Sequence, residues 1–433
     1  MNEVYHEITA CRVCGCEELK PVIGLGNQYV INFPDGDEPT EGIRAPLDMV
    51  ICAHTDCSLV QLKHTVNPDL MYREYWYLSG VNQTMRDALA DVTQSACKRV
   101  DLVAGDIAVD IGANDGTLLR SYDNSDLVTV GFEPASNLVP LTSEGTSKVI
   151  NDYFNRAAFD ENFPGRKAKI VTSIAMFYDL EDPNSFVADI AGILDDGGVW
   201  INQMNYLGTM LTYNAFDNIS HEHLEYYSLS SLEFLLSRHD LEVFDVEQNI
   251  LNGGSLRAYI CKKGQRPATA AVQAMRQTEV HLKTYKPYLE FVDRLQAIKD
   301  KICHFISEER AKGKAVYVYG ASTRGNTLLQ YFGLDSSLLV AAAERNPAKC
   351  GNSIAANAPI SSQLILESMR CWALELGVDG FRFDLGIALS RGDQLKPLNE
   401  PPLFAAMEAD PQLSDLKLVS EPWDCGGLYR LDD

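Results

Sequence analysis

The stretch from Ile107 to Glu133 constrains the fold more than any other part of the chain. Ile107-Ala108-Val109-Asp110-Ile111 is short and mostly apolar, as in a strand buried on both faces of a parallel sheet. Gly112-Ala113-Asn114-Asp115-Gly116 follows at once, and glycines there let the backbone turn sharply and approach a ligand. Thr117-Leu118-Leu119 opens a helix, and a second apolar run, Leu127 to Phe132, ends at Glu133. Strand, glycine turn, helix and a second strand ending in a carboxylate form a nucleotide-type site. The carboxylate is placed to accept both hydroxyls of a ribose.

Two ligands compete for such a site. A dinucleotide asks for G-x-G-x-x-G, with the pyrophosphate on a helix N-terminus. Here the spacing is Gly112-x-Asn114-x-Gly116, and Asp115 lies in the turn. An acidic turn suits a ligand with positive charge. S-adenosylmethionine (SAM), with a sulfonium, an ammonium and a ribose, is favoured over NAD. Asp110, Gly112, Asn114, Gly116 and Glu133 are its candidate contacts.

The length of 433 residues suggests roughly two to four domains. A net charge of −23 disfavours nucleic acid and anionic membranes as main partners, because both call for a basic face. No apolar run reaches the ~18 residues of a membrane span, and the first residues lack the basic start and apolar core of a signal peptide. These features lead us to expect a cytoplasmic enzyme. Eleven cysteines in such a chain argue for thiols or a metal rather than a disulfide framework.

Cys11-x-x-Cys14 opens the chain, and Cys52 and Cys57 follow after a loop. Two pairs of soft ligands separated by a loop form a zinc-ribbon pattern, since Zn²⁺ takes four S or N donors in a tetrahedron. Cys11, Cys14, Cys52 and Cys57 are the expected ligands, with Cys16 and His54 as substitutes. Four protein ligands leave no open position, so the site reads as structural. The aromatic stretch Met71 to Tyr77 then either packs this module onto the next domain or forms a lid whose Tyr75 and Tyr77 hydroxyls face a substrate.

After Glu133 the α/β rhythm continues. Ala168 to Ser173 reads as the fourth strand, with Ser173 a candidate cofactor contact, and Ile174 to Asp179 lie where its carboxyl end meets the ligand crevice. Asp182 to Leu194 reads as a helix, Asp195 to Gly198 as a turn, and Val199 to Gln203 as the fifth strand. Next comes Ser220-His221-Glu222-His223-Leu224-Glu225-Tyr226-Tyr227, which holds two of only eight histidines. Acid-base catalysis is the preferred reading, by a histidine oriented by Glu222, with Tyr226 and Tyr227 near a developing oxyanion. A metal site and plain core packing are the alternatives. Asn252-Gly253-Gly254-Ser255-Leu256-Arg257 either cradles an oxygen, with Arg257 on a phosphate, or turns a hairpin.

Together these residues resemble the sugar C-methyltransferases that act on nucleotide-linked deoxysugars. The likeness runs from Cys11 to about Lys349. It rests on the cysteine pairs, Tyr77-Leu78-Ser79-Gly80-Val81-Asn82-Gln83-Thr84-Met85-Arg86, the Asp110–Gly116 turn, Ser220–His223, Asn252–Ser255 and Tyr319-Gly320-Ala321-Ser322-Thr323-Arg324-Gly325-Asn326-Thr327. It implies a structural zinc module over 1–80, a Rossmann-like SAM methyltransferase domain over 81–265, and a truncated nucleotide-fold domain over 266–349. In that last domain Ala321, Ser322, Arg324 and Asn326 would edge the ligand. The implied reaction is methyl transfer from SAM to a nucleotide-linked keto-deoxysugar through an enolate. The base, the His of a Glu-His pair, falls on Glu222 and His223. Two positions depart from the family pattern: Ser220 stands where a Tyr is common, and Phe177 or Tyr178 where a His is. An inactive remnant that still binds a nucleotide sugar is the alternative.

From Cys350 the chain changes character. Val378 to Leu385 and Val419 to Asp424 resemble the glycogen-debranching branch of the amylase family, whose nucleophile and acid would fall on Asp384 and Glu421, with Arg382 beside the nucleophile. A (β/α)₈ barrel needs about 250 residues, and 84 remain from Cys350. The expectation is a partial barrel in a chimeric chain, poorly packed and without working glycosidase activity.

Overall fold

The computed structural model describes residues 4–30, 42–72, 75, 77–319, 323–343, 359–374, 380–383, 389–390, 398, 400–414 and 416–420. The chain divides into two compact units. One comprises Met1–Asn32, Thr40–Glu308 and Thr323–Leu334; the other comprises Phe33–Pro39, Glu309–Ser322 and Asp335–Asp433.

The first unit begins with β1 (Tyr5–Glu7), β2 (Leu19–Tyr29), β3 (Arg44–Cys52), β4 (Val60–Leu62) and β5 (His64–Val66). β6 (Ile107–Ile111), β7 (Val128–Phe132), β8 (Lys148–Ile150), β9 (Ala168–Ile174) and β10 (Leu194–Asn205) follow. The last three strands of this unit are β11 (Glu225–Tyr226), β12 (Leu241–Asn249) and β13 (Ser255–Lys262).

Seven of these strands form one sheet in the order β12-β13-β10-β9-β6-β7-β8. β6 is buried at all five positions, as its apolar run demands, and pairs in parallel with β7 and β9. Each parallel return needs a crossover, which puts helices on both faces of the sheet. β13 is antiparallel to both β10 and β12, so the sheet is mixed. The strand order reverses at β6, which opens a crevice beyond the carboxyl ends of β6 and β9. Trp200, Phe177, Tyr227 and Phe132 are fully buried in the main core. Burying each such side chain contributes roughly 1.5–3 kcal/mol.

Helix boundaries follow their caps. Asn82 and Asp182 accept hydrogen bonds from the first turns of helices Gln83–Cys97 and Pro183–Ile193. Residues 195–198, expected as a turn, lie within β10 as an irregularity between Leu194 and Val199. Pro287 sits in the first turn of helix Lys286–Ala311, where its missing N–H costs nothing.

A second sheet runs β11-β4-β3-β2. Its strand β11 comes from the segment just after His223, far along the chain. Residues 1–80 therefore share a sheet with the central part of the chain.

In the second unit, Tyr317–Tyr319 pairs in parallel with Ala341–Ala343. Gly380–Phe383 pairs in parallel with Lys417–Ser420, with helix Pro402–Ala409 between them in sequence. Met369, Leu403, Met407 and Leu413 form a small core, and Arg370 pairs with Asp410. The described residues of the tail are thus locally packed around a single βαβ unit. Asp384 and Glu421 lie outside the described residues, as do Gly320, Ala321 and Ser322. The side chain of Arg382 is likewise outside the described set.

Candidate active site and metal centre

Two short loops and a strand pair bring Cys11, Cys14, Cys52 and Cys57 together, with their sulfurs all within 4.8 Å of one another. The Cys11–Cys57 separation is 3.8 Å and the Cys14–Cys52 separation is 3.4 Å. Zn–S bonds of about 2.3 Å in a tetrahedron put sulfurs roughly 3.8 Å apart, so the four thiols fit Zn²⁺. Cys16 instead lies near the Glu18 carbonyl, and His54 packs against Phe234. Neither belongs to the cage.

The glycine turn is shaped as its residues require. Gly112, Asn114 and Gly116 have φ of +71°, +51° and +76°. A Cβ on Gly116 would lie 2.9 Å from the Thr142 carbonyl oxygen. Glu133 Oε2 accepts from Asn114 N at 2.7 Å, and Oε1 accepts from Ala135 N at 2.8 Å. Each carboxylate oxygen keeps a lone pair for a ribose hydroxyl. Asp110 is 4% exposed and accepts from Thr172 Oγ1 at 2.6 Å. Burial pushes its pKa up to about 8, and the charge of Glu133 adds to that rise. Burial raises Glu133 as well. Among the described residues no lysine or arginine forms an ion pair with either group. Two buried carboxyls in want of a cation fit SAM, which brings both positive charge and a ribose.

Asn114 also has a use that its sequence position hides. Its Nδ2 donates to the Tyr77 carbonyl and its Oδ1 accepts from Ser79 N, both at 2.9 Å. Asp115 Oδ2 accepts from Gly80 N at 2.7 Å. The side chain of Asn137 grips the Tyr75 backbone twice, at 3.2 and 2.8 Å. The segment around Tyr75 to Gly80 is therefore strapped along the turn. Burial raises the Tyr75 hydroxyl pKa, and the charges of Glu222, Asp179 and Glu133 add to it. Tyr77 is half exposed.

The second half centres on His223. Its Nδ1 is 2.6 Å from the Asn218 carbonyl oxygen. A carbonyl only accepts, so Nδ1 carries the proton and Nε2 presents a lone pair. Burial, helped by the positive charge of Arg324 and opposed by the Asn218 carbonyl, lowers its pKa to about 4. Tyr178 meets the ring edge-on, with centroids 4.5 Å apart. Asp179 follows the carboxyl end of β9. Its Oδ1 is buried without a hydrogen-bond partner among the described residues, and burial raises its pKa well above the carboxylate range. Arg324 lies 3.8 Å from Asp217. Asn326 is half-buried in the first turn of helix Thr323–Phe332. The arrangement combines a neutral imidazole with an open lone pair and a set of O–H donors. It suits removal of a proton from carbon next to a carbonyl.

Several expected roles are corrected. The group orienting His223 is the Asn218 carbonyl, not Glu222, whose backbone oxygen accepts from Tyr72 Oη at 3.3 Å. His221 is 2% exposed and donates from Nε2 to the Ala45 carbonyl in β3, so it is committed to the sheet of the cysteine module. Tyr226 is buried with its hydroxyl 3.5 Å from the Asn218 carbonyl, and Tyr227 packs on Phe177 in the core. Ser173 is fully buried between Trp200 Nε1, at 2.9 Å, and Asn202, so it offers nothing to a cofactor. Arg257 is also buried; it donates to Gln203 at 2.8 Å and Asp91 at 2.7 Å, so it has no room for a phosphate. Gly253 and Gly254 turn the β12–β13 hairpin, and Asn252 lies in its 3₁₀ turn. Asn137 was missed, and Tyr178, Asp179 and Asn218 carried no assigned role. Tyr178 and Asp179 stand just past a strand end, where the sequence already placed the ligand crevice.

Sheet order, glycine turn and acidic crevice define a Rossmann-like SAM methyltransferase. More particularly, the chain is a SAM-dependent C-methyltransferase with a cysteine-rich zinc module. Residues 11–72 match a family described as "Putative zinc binding domain", residues 81–246 a methyltransferase domain, and residues 250–370 a C-methyltransferase C-terminal domain. C-methyltransferase NovU of Streptomyces niveus is 29% identical over 342 residues, covering 77% of this chain and 80% of NovU. Isoamylase 3, chloroplastic, of Oryza sativa subsp. japonica is 45% identical over 111 residues. That match takes in 26% of this chain but only 14% of the isoamylase. A SAM-dependent methyltransferase structure from Clostridium acetobutylicum superposes with a TM-score of 0.34 at 14% identity, over 41% of this chain and 92% of that one. Among the described residues no helix is long and apolar enough to cross a membrane.

Proposed function

We propose that the chain methylates the carbon next to the keto group of a nucleotide-linked deoxysugar, with His223 as the base. The observation that carries this reading is the His223 tautomer. Its proton is spent on the Asn218 carbonyl at 2.6 Å, and its lowered pKa keeps Nε2 free at neutral pH. His223 Nε2 takes the proton from carbon, and the resulting enolate carbon is the nucleophile. Bound SAM supplies the electrophilic methyl group. Asp179, whose burial favours the protonated carboxyl, and Tyr75 donate toward the enolate oxygen, while the charge of Arg324 steadies it. Asp110 and Glu133 hold the cationic and ribose ends of SAM against the turn at Gly112, Asn114 and Gly116. Tyr77, Arg324 and Asn326 stand on the sugar-nucleotide side.

The same reading divides the chain at about residues 80, 265 and 349 and sets it in the cytoplasm. The thiols of Cys11, Cys14, Cys16, Cys52, Cys57, Cys97, Cys261 and Cys303 are all free, in keeping with a reducing compartment.

The test is incubation with methyl-labelled SAM and a panel of keto-sugar nucleotides. The expected result is label on a sugar carbon of one of them. His223→Asn should abolish transfer and leave SAM affinity within about twofold. Label on oxygen or nitrogen, or full turnover by His223→Asn, would overturn the reading.

A further inference from the structure

The segment that carries His223 is held almost entirely by the cysteine module. β11 pairs antiparallel with β4, Glu225 opposite Gln61 and Tyr226 opposite Val60. Leu62 N donates to the Leu224 carbonyl at 2.8 Å. His221 reaches Ala45 in β3, and Tyr72 Oη donates to the Glu222 carbonyl. Every residue from 221 to 226 other than His223 is thus tied to residues 45–72, and His223 instead meets Asn218 and the Tyr178 ring.

The link runs back to the metal loop through one side chain. Arg12 stands between Cys11 and Cys14. Its backbone N donates to Gln61 Oε1 at 3.1 Å, and its guanidinium donates to the Leu62 carbonyl at 2.6 Å and Thr65 Oγ1 at 2.8 Å. Its Nε lies 3.8 Å from Glu225 Oε1, and the two side chains are 3% and 0% exposed. From the other side, Asn184 Nδ2 donates to the Arg12 and Val13 carbonyls at 2.9 and 3.0 Å. A buried guanidinium and a buried carboxyl group, the latter two residues from the catalytic histidine, are more than packing requires. An apolar pair of the same volume would serve packing as well.

We propose that the zinc module is part of the catalytic apparatus: the Cys11–Cys14 loop places Arg12, and Arg12, through Glu225 and β4, positions His223. Arg12 is a positioning residue and does not touch substrate. The inference rests on the reading of His223 as the base. A fully folded chain whose Arg12–Glu225 contact is broken should bind SAM normally and remove the substrate proton poorly.

The test uses Arg12→Met and Glu225→Gln in the full-length, zinc-loaded protein, with zinc content measured alongside. The probe is a thymidine-diphosphate-linked 4-keto-6-deoxyhexose in D₂O without SAM. Loss of its α-proton signal reports proton removal alone, and methyl transfer is measured separately. Both variants are expected to retain one zinc per chain and SAM affinity within about twofold. Both should slow α-proton exchange and kcat by the same factor, about tenfold or more, with the KM for SAM unchanged. The double variant should be no slower than the worse single one, since coupled residues are not additive. If Arg12→Met destabilises the fold, Glu225→Gln, which keeps the side-chain shape and lies far from the cysteines in sequence, carries the decision. Wild-type exchange and kcat in a zinc-replete Glu225→Gln variant would overturn the proposal. Exchange that persists in His223→Asn would instead overturn the base assignment beneath it.

Discussion

The buried carboxyl of Asp110 makes SAM binding a proton-linked event. Asp110 is held at a pKa of about 8 by burial, with Glu133 adding to the rise and the Thr172 hydroxyl opposing it. The Tyr122 hydroxyl is buried nearby, and burial together with the Asp110 charge raises its pKa. A cationic ligand needs the carboxylate, so below pH 8 it competes with a proton. At pH 6 such a group is protonated by about 100 to 1, and at pH 7 by about 10 to 1. The apparent SAM affinity should therefore rise about ninefold between pH 6 and pH 7, or roughly 1.3 kcal/mol, with close to one proton released on binding. Isothermal calorimetry in buffers of different ionisation enthalpy measures both quantities. Asp110→Asn should weaken binding and flatten the slope across the same interval. A flat Kd between pH 6 and 7 in the parent chain, or an undiminished slope in Asp110→Asn, would refute the argument that a cation completes this crevice.

Three further outcomes follow from particular contacts. Under saturating SAM, kcat/KM for the acceptor should hold level down to about pH 5 and fall tenfold per unit below about 4, where His223 takes its proton; a limb centred at 6.5 would move the base out of the buried pocket. Glu279 is fully buried and accepts from Tyr206 Oη, Leu229 N, Ser230 N and Ser230 Oγ at 2.7–3.0 Å. Glu279→Ala should cost about 3–5 kcal/mol in urea unfolding, because it strands the first turn of helix Leu229–Ser237, and a loss under about 1 kcal/mol would show that water replaces the carboxylate. Cys57→Ser should lower bound zinc from one ion per chain by atomic absorption and loosen residues 1–80 in hydrogen exchange, since metal binding supplies folding energy to such modules; full zinc retention would point to another donor.

Much of the nucleotide half of the site was legible in order along the chain. Asp110, Gly112 and Gly116 are separated from Glu133 by one helix, and their places follow from turn geometry and strand polarity, which are local. The four cysteines were legible too, because tetrahedral thiolate ligation tolerates little besides paired soft donors. The His-Glu-His segment could be found but not resolved. Which histidine faces the pocket depends on Ala45 and Asn218, and no periodicity links position 45 to position 221. Arg257 and Ser173 look like ligand groups because polar residues at strand ends often are. Their partners, Asp91 with Gln203 and Trp200 with Asn202, come from other elements and turn them into buried links.

The sequence alone determined the run of alternating elements, the acidic glycine turn that favours a cation, the thiol cage, and the change of character near Cys350. Each depends on residues close in the chain or, for the thiols, on two close pairs whose soft-donor chemistry leaves few alternatives. The tertiary structure decided the order of strands around β6, the tautomer of His223, the strap of Tyr77 to Gly80 on Asn114 and Asp115, and the joining of β11 to β4. Apart from the tautomer, which Asn218 sets from 5 residues away, each is a contact over tens to hundreds of residues, selected by which buried polar groups can find partners when the sheet closes.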